Sequence, residues 1–402
     1  MREAIALAER GRRTVSPNPL VGALLVRNGI IIGQGWHERA GESHAEVRAI
    51  ADALQNGHTD LSGATCYVTL EPCCHQGRTP PCTEALIRHR IDRVVFGLTD
   101  PNPLVSGKGE KTLRDAGIEV SGGVLQHECC EQNRIFITFM EKKRPWVTLK
   151  AALSLDGKTA AATGLSRWIS GAEARAEVQE LRRNHRAILV GAGTIFADDP
   201  VLLPRPSDSP HASASPHAAE RPPLRVVLDS AFRTPPDSRL LKSADLGPIL
   251  IAGCAPDTVT DETRPGAPAV PPGDTSDIPA RIAALEAAGA RTLQLPAMHG
   301  RCDPDALLAA LAAEGIDSVL CEGGATLSAS LVQAGLVDRL HLYLAPVLIG
   351  GAHAPGLLAG IGFPDPQTAR SACPVGPLRY RSCGADIAIE ADLAWRSPCL
   401  PV

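Results

Sequence analysis

The sequence predicts a two-domain α/β protein, and three observations carry that reading. A chain of 402 residues exceeds one average domain, so two is the natural expectation. Short apolar runs alternate with helix-period segments through both halves, the pattern of layered α/β architectures. Finally, the polar run Glu141-Lys142-Lys143-Arg144-Pro145 interrupts this alternation and a fresh apolar run opens at Trp146. The domains are therefore expected to span residues 1–144 and 145–402.

In the first half, a charged, Ala-rich amphipathic helix covers Met1 to Gly11, and Ser16-Pro17-Asn18-Pro19 forms a rigid turn. Val21 to Val26 and Ile30 to Ile32 read as strands joined through Asn28-Gly29, a strong hairpin signal. Ser43 and Glu46 fit a capping box opening a helix from Ala45 to Leu54, whose buried stripe would be Val47, Ile50, Ala51 and Leu54. Thr65 to Leu70 is a strand delivering Glu71-Pro72-Cys73, and a helix starts near Cys82. The strand Arg93 to Gly97, the turn Asp100-Pro101-Asn102-Pro103, a helix over Gly109 to Ala116 and a strand over Ile118 to Val120 complete the unit.

The second half opens with the strand Trp146 to Leu153. Ser170 and Glu173 suggest another capping box, for a helix to Arg183, followed by the strand Ala187 to Val190 and Gly191-Ala192-Gly193-Thr194. Leu224 to Leu228, Pro248 to Ala252, Ser318 to Cys321 and Arg339 to Leu344 are further strands. Helices are expected over Asp305 to Glu314 and after Glu322-Gly323-Gly324. Residues 206–223 and 255–279 are rich in Pro, Ser, Ala and Asp and read as surface insertions.

Composition excludes several classes. Aromatic residues make up 3% of the chain and the formal charge is −4, which argues against a nucleic-acid partner. No 18-residue apolar run occurs and the first residues lack a signal-peptide core, so neither a membrane partner nor export is expected. The twelve cysteines form no small disulfide framework. In a reducing, cytoplasmic setting their thiols stay free for metal. Cys66, Cys129, Cys130, Cys254, Cys302, Cys321, Cys373, Cys383 and Cys399 are expected to be small buried or incidental residues.

The chemistry concentrates at His44-Ala45-Glu46 and at Pro72-Cys73 to Pro81-Cys82. One imidazole and two thiolates give three protein ligands to a single Zn²⁺, leaving a fourth position for water, whose pKa zinc lowers to about 7. Glu46 is not needed as a ligand and is free to move protons, as in the zinc-deaminase signature. A structural site completed by Cys74 or His75 is the alternative.

With these residues in place, the chain resembles the bifunctional riboflavin-biosynthesis deaminase/reductases. Its N-terminal half is similar to a cytidine-deaminase-type α/β/α layered domain, through Ser16 to Gly22, His44-Ala45-Glu46, Leu70 to Cys73 with Cys82, and Asp100 to Pro103. Its C-terminal half resembles a dihydrofolate-reductase-type α/β domain, through Leu149-Lys150, Ser154 to Gly157, Ser166 to Ile169, Gly191 to Pro200 and Glu322-Gly323-Gly324. Eight residues separate Cys73 from Cys82, where the general deaminase signature has two, and the longer form is the one this family carries.

The resemblance implies that Asn18, His75, Arg78, Asp100 and Asn102 shape the pyrimidine and phosphate pocket, with Arg78 a forked donor to phosphate. Turn chemistry around proline is the bland alternative for Asn18, Asp100 and Asn102. It further implies hydrolytic removal of the 2-amino group of a diaminopyrimidinone carrying ribosylamine 5-phosphate, then reduction of the ribosyl group to ribityl by NADPH. The implied NADP contacts are Ala152, Trp168, Thr194, Asp198, Ser230 and the helix start at Gly324, Ala325 and Thr326, whose backbone donors would hold the diphosphate. The implied substrate contacts are Ser166, Arg182, Leu202, Arg205 and Glu322, while Lys150, on a strand rather than an exposed helix, is a candidate for electrostatic help near the substrate or cofactor. Arg182 could instead be a solvated helix charge, and Trp168 a core residue.

Leu203 and Pro204 depart from the family's usual Leu-Thr-x-Arg run, which leaves a deaminase with a weakened or inactive reductase domain as one alternative. A nucleic-acid or nucleoside zinc deaminase and a non-catalytic zinc-stabilised binding protein are the others. A homo-oligomer acting on a small phosphorylated pyrimidine is the expected assembly.

Overall fold

The computed structural model describes residues 1–76, 80–102, 105–166, 168–205, 221–255, 277–298, 300–360, 362, 363, 365, 369 and 377–393. Arg78 and most of the two expected insertions lie outside them. The chain divides into two compact units, with the change falling between Lys143 and Arg144.

In the first unit, α1 (Arg2–Ala8) precedes the hairpin β1 (Gly22–Arg27) and β2 (Ile30–Trp36). Asn28 and Gly29 form its two-residue turn with φ of 52° and 76°, the left-handed pair that a type I′ hairpin requires. Then follow α2 (Ala45–Gln55), β3 (Thr65–Leu70), α3 (Cys82–Arg88), β4 (Arg93–Leu98), α4 (Lys108–Asp115), β5 (Glu119–Ser121) and α5 (Gln126–Lys142). The sheet order is β2-β1-β3-β4-β5, with β3, β4 and β5 parallel.

Three expectations need correcting here. The buried face of α2 is Ala45, Ala49, Ile50 and Ala53, while Leu54 is 37% exposed. The cause lies in β2: a Cβ at Gly33 would stand 2.7 Å from the Ala53 Cβ, and one at Gly35 would stand 2.6 Å from the Ala45 carbonyl oxygen. Glycines facing alanines let helix and strand approach closely, and Leu54 turns outward. The capping box is also absent, because the N-cap is His44 and no side chain caps the helix. The Ser43 carbonyl oxygen instead faces His37 Nδ1 and accepts from Arg48. Finally, α5 was not anticipated. Gln132 on α5 donates to the Ile5 carbonyl and to Glu9 of the N-terminal segment, both at 2.8 Å.

The second unit begins with β6 (Trp146–Ser154), α6 (Ala172–Asn184), β7 (Ala187–Gly191), α7 (Ala192–Asp198), β8 (Leu224–Leu228), α8 (Arg239–Lys242) and β9 (Ile249–Cys254). It continues through α9 (Ile278–Ala287), β10 (Arg291–Leu295), β11 (Ala297–Met298), β12 (Arg301–Cys302), α10 (Pro304–Ala313) and β13 (Ser318–Cys321). The last elements are α11 (Ala325–Gln333), β14 (Arg339–Ala345), β15 (Arg379–Cys383) and β16 (Asp386–Asp392). Among the described residues its main sheet runs β10-β9-β8-β7-β13-β6-β14-β16-β15, parallel from β10 to β14 and antiparallel beyond.

Strands covered on both faces must be apolar throughout, which is why β7 reads Ala-Ile-Leu-Val. Leu189 joins one core cluster while Ile188 and Val190 join another. Two sequence expectations shift. α9 starts inside the expected second insertion, with Pro279 in its first turn, where a missing N–H costs nothing. The N-cap of α6 is Gly171, not Ser170, and the Gly171 N–H donates to Asp386 at 2.7 Å.

Candidate active sites

The first unit brings His44, Cys73 and Cys82 together although 38 positions separate the outermost pair. His44 precedes α2, Cys73 follows the end of β3, and Cys82 is the first residue of α3. His44 Nδ1 lies 3.2 Å from Cys82 Sγ and 3.4 Å from Cys73 Sγ, and all three donor atoms fall within 4.8 Å of one another. Among the described residues this is the sole group of three or more donors so close, and neither Cys74 nor His75 completes it to four. One nitrogen and two sulfurs at this separation fit a single zinc ion, with bonds of about 2.0–2.3 Å.

The electrostatics suit such an ion. The hydrogen bond with Cys82, and then His44, draw the Cys73 thiol down to about 4 against the opposing effect of burial. The Cys82 N–H donates to that sulfur at 3.4 Å from the start of α3, where backbone donors favour a thiolate. The same thiol–thiol bond, with burial, pushes Cys82 upward. The bond with Cys73 raises His44. Glu46 is 3% exposed, and burial, followed by the nearby Cys73 charge, lifts its carboxyl to about 7. That is the range in which a carboxyl can both accept and return a proton near neutrality.

A cavity of about 520 Å³ opens beside this group. Asn18, His75, Asp100 and Asn102 line it, together with His44, Glu46 and Cys73. Burial first, then Glu71 and Cys73, raise Asp100 to about 6, while the Asn102 N–H donates to its carboxylate at 2.8 Å. Several lining residues escaped the sequence reading. His37 has Nδ1 3.3 Å from the Ser43 carbonyl and Nε2 3.0 Å from Asn18 Nδ2, so it takes the Asn18 amide as donor and fixes its orientation. Phe136, Phe139 and Met140 of α5 form an apolar wall. From the same helix, Asn133 donates to the Leu20 carbonyl at 3.0 Å and accepts from its N–H at 2.8 Å, pinning the turn that carries Asn18. The signal for His37 was its place seven residues before His44; α5 offered only weak periodicity.

In the second unit, Thr194, Ser230 and Glu322 lie just beyond the carboxyl ends of β7, β8 and β13, where open α/β sheets place their ligands. Arg182 of α6 and Glu322, just beyond β13, form a two-point ion pair with bonds of 2.5 and 2.9 Å, and their side chains are only 14% and 7% exposed. Arg182 is therefore no solvated helix charge. It also donates to the Leu203 carbonyl at 3.1 Å, which ties the 201–205 segment to the pair. Burial, then Arg182, push Lys150 below its ordinary value while Glu322 works the other way.

The Thr194 hydroxyl stands 3.5 Å from where a Cβ on Gly323 would lie, and Gly323 and Gly324 have φ of 145° and 91°, a backbone conformation that favours glycine. Ser166 donates to Asp198 at 3.1 Å. Ser230 accepts from the Cys302 N–H at 3.2 Å, and Ala152 lies on β6 opposite Tyr343. Gly324 is the N-cap of α11, whose first turn includes Ala325 and Thr326. The Arg205 N–H donates to Gln179 at 2.9 Å. Trp168 is not core. It is 69% exposed with φ 67°, and the Arg175 guanidinium sits 4.6 Å from its ring. Leu202 turns inward at 3% exposure among Val190 and Ile195, so its side chain is occupied by packing.

Comparison with known proteins agrees with this division. The model for the cytidine and deoxycytidylate deaminase zinc-binding region matches residues 1–98, and that for the RibD C-terminal domain matches residues 145–376. The chain is 42% identical to the riboflavin biosynthesis protein RibD of Actinobacillus pleuropneumoniae, over 90% of this chain and 87% of that one. Against the Escherichia coli RibD it is 41% identical, over 87% and 88%. Acinetobacter baumannii RibD superposes with a TM-score of 0.77 at 34% identity, covering 98% of this chain and 97% of that structure. A Thermotoga maritima deaminase/reductase superposes with a TM-score of 0.76 at 32% identity, covering 98% and 97%. With a zinc-binding deaminase domain followed by a reductase domain, the chain belongs to the RibD family of bifunctional riboflavin biosynthesis proteins.

Proposed function

We propose that the first unit hydrolytically deaminates 2,5-diamino-6-ribosylamino-4(3H)-pyrimidinone 5′-phosphate. The second then reduces the ribosyl group to ribityl with NADPH, giving 5-amino-6-ribitylamino-uracil 5′-phosphate. The observation that carries the proposal is the convergence of His44, Cys73 and Cys82 beside a cavity lined by His44, Cys73 and Glu46. A zinc ion held by these three residues supplies Lewis acidity and lowers the pKa of water to about 7. Glu46, buried and titrating near neutrality, takes a proton from the attacking water and returns one to the departing ammonia. Asn18, Asp100 and Asn102 hold the pyrimidine edge. His75 faces the same cavity, and Arg78 serves the phosphate.

For the reductase step, Gly324, Ala325 and Thr326 offer helix-start donors to the cofactor diphosphate. Ala152, Trp168, Thr194, Asp198 and Ser230 complete the cofactor surface. Arg182, Glu322 and Lys150 supply charge beside the substrate, with Ser166, Leu202 through its backbone, and Arg205 at the rim. NADPH carries the hydride, and these residues align donor with acceptor. Among the described residues no helix is long and apolar enough to cross a membrane. We further propose a cytoplasmic homo-oligomer acting on this small phosphorylated substrate; the free thiols of the described cysteines support a reducing setting, and the formal charge of −4 supports a small substrate over a polyanion.

The test is incubation with the diaminopyrimidinone phosphate, with and without NADPH, followed by product mass. Exchange of an amino group for oxygen raises the mass by about 1 unit, and hydride plus proton by about 2 more. No change without NADPH sinks the deaminase reading, and no further gain with it leaves a deaminase beside an inactive second unit.

A further inference from the structure

Glu71 is 2% exposed, lines the deaminase cavity and lies two residues before Cys73, yet neither the ligand set nor the proton relay uses it. Its own N–H donates to the Leu98 carbonyl at 2.7 Å, fixing it at the junction of β3 and β4. Its carboxylate is spread over the segment beyond β4. One oxygen accepts from the Asp100 N–H at 3.3 Å and the Gly107 N–H at 3.0 Å, and the other accepts from the Glu110 N–H at 3.1 Å. It therefore caps α4 from outside that helix, placing a negative charge where the helix start presents its positive end.

The fit is tight around it. A Cβ on Gly109 would stand 2.0 Å from the Pro72 carbonyl oxygen and 3.2 Å from the Glu71 carboxylate, so α4 starts directly against the Glu71-Pro72 backbone. Between the bonded positions 100 and 107, the Asn102 carbonyl accepts from the Val105 and Ser106 N–H groups, both at 2.9 Å. One side chain thus joins the strand end that delivers Cys73 to the segment that delivers Asp100 and Asn102.

We infer that Glu71 is a positioning residue for deamination, holding the pyrimidine-contact segment in register with the metal ligands. The inference rests on the assignment of Asp100 and Asn102 to the substrate pocket. A carboxylate suits this task because it accepts from several N–H groups at once, whereas a glutamine of the same shape presents an NH₂ to one of those donors.

Two variants test it in the full-length zinc-loaded protein. Glu71→Gln disturbs the carboxylate, and Gly109→Ala disturbs the same junction through the backbone. Both are expected to raise the deaminase KM about tenfold, since displacement of contacts by a fraction of an ångström is felt strongly in a positioned site. Zinc should stay at one ion per chain and reductase turnover should be unchanged. Asp100→Ala and Asn102→Ala serve as references. If those two raise KM while Glu71→Gln and Gly109→Ala only lower stability, the carboxylate merely caps a helix and the inference is overturned. Loss of zinc in Glu71→Gln also overturns it, because the residue would then be shaping the ligand set. Unchanged KM in Asp100→Ala and Asn102→Ala would instead remove the pocket assignment, and the inference with it.

Discussion

Replacing Arg182 by methionine removes the guanidinium from a two-point pair whose partner, Glu322, is 7% exposed. Breaking a buried pair by deleting one partner leaves an uncompensated charge and costs about 3–5 kcal/mol, a large fraction of the about 5–15 kcal/mol that holds a domain. Lys150 is a poor substitute, because burial already holds its own pKa down. The sign of the pH dependence follows from Glu322. Burial acts to raise its carboxyl, but Arg182 and then Lys150 hold it below the ordinary value. In the native protein this contribution is complete above about pH 4.3 and fades as the pH falls through the lower native pKa. In Arg182→Met burial is opposed mainly by Lys150, so the native pKa rises above the unfolded one. The deficit is then greatest near neutrality and shrinks as acid protonates Glu322. Urea unfolding followed by circular dichroism should show a loss of about 3 kcal/mol or more near pH 7.5, narrowing as the pH is lowered. Arg182→Met with Glu322→Leu should recover much of it. A deficit below about 1 kcal/mol, as for a surface pair, or one indifferent to pH, would refute the reasoning.

Two further outcomes follow from the first unit. Glu46→Gln keeps the volume of a buried side chain but cannot relay a proton, so deaminase kcat should fall about 100- to 10,000-fold. Metal analysis and NADPH oxidation on the same sample should stay normal, and zinc loss would show that the residue supports the ligands instead. Ser43→Ala should cost less than about 0.5 kcal/mol in thermal unfolding, because Ser43 lies outside α2, whereas a true N-cap loss costs about 1 kcal/mol.

Most strand positions were legible because parallel strands demand continuous apolar runs and the hairpin demands Asn28-Gly29. The grouping of His44, Cys73 and Cys82 was legible for a different reason: few residue types bind zinc, and their order along the chain is distinctive. What sequence concealed was partnership. The α2 stripe was misread because the glycines that set its packing belong to β2, 10 and more positions earlier. α5 was missed because polar residues such as Gln132 and Asn133 are buried on it, held by Ile5 and Leu20, and this blurs the amphipathic period. For Arg182 a substrate contact and a solvated charge both stood open in the sequence, and only Glu322, 140 positions away, removes the second.

The apolar wall contributed by Phe136, Phe139 and Met140 has a practical consequence. The segment recognisable as a deaminase ends at residue 98, and all three candidate metal ligands lie inside it. A fragment cut there would carry the whole metal-binding signature, yet its substrate chamber would lack one side. Minimal versions of this half need to run through Lys142, and similarity alone would place the scissors more than 40 residues too early.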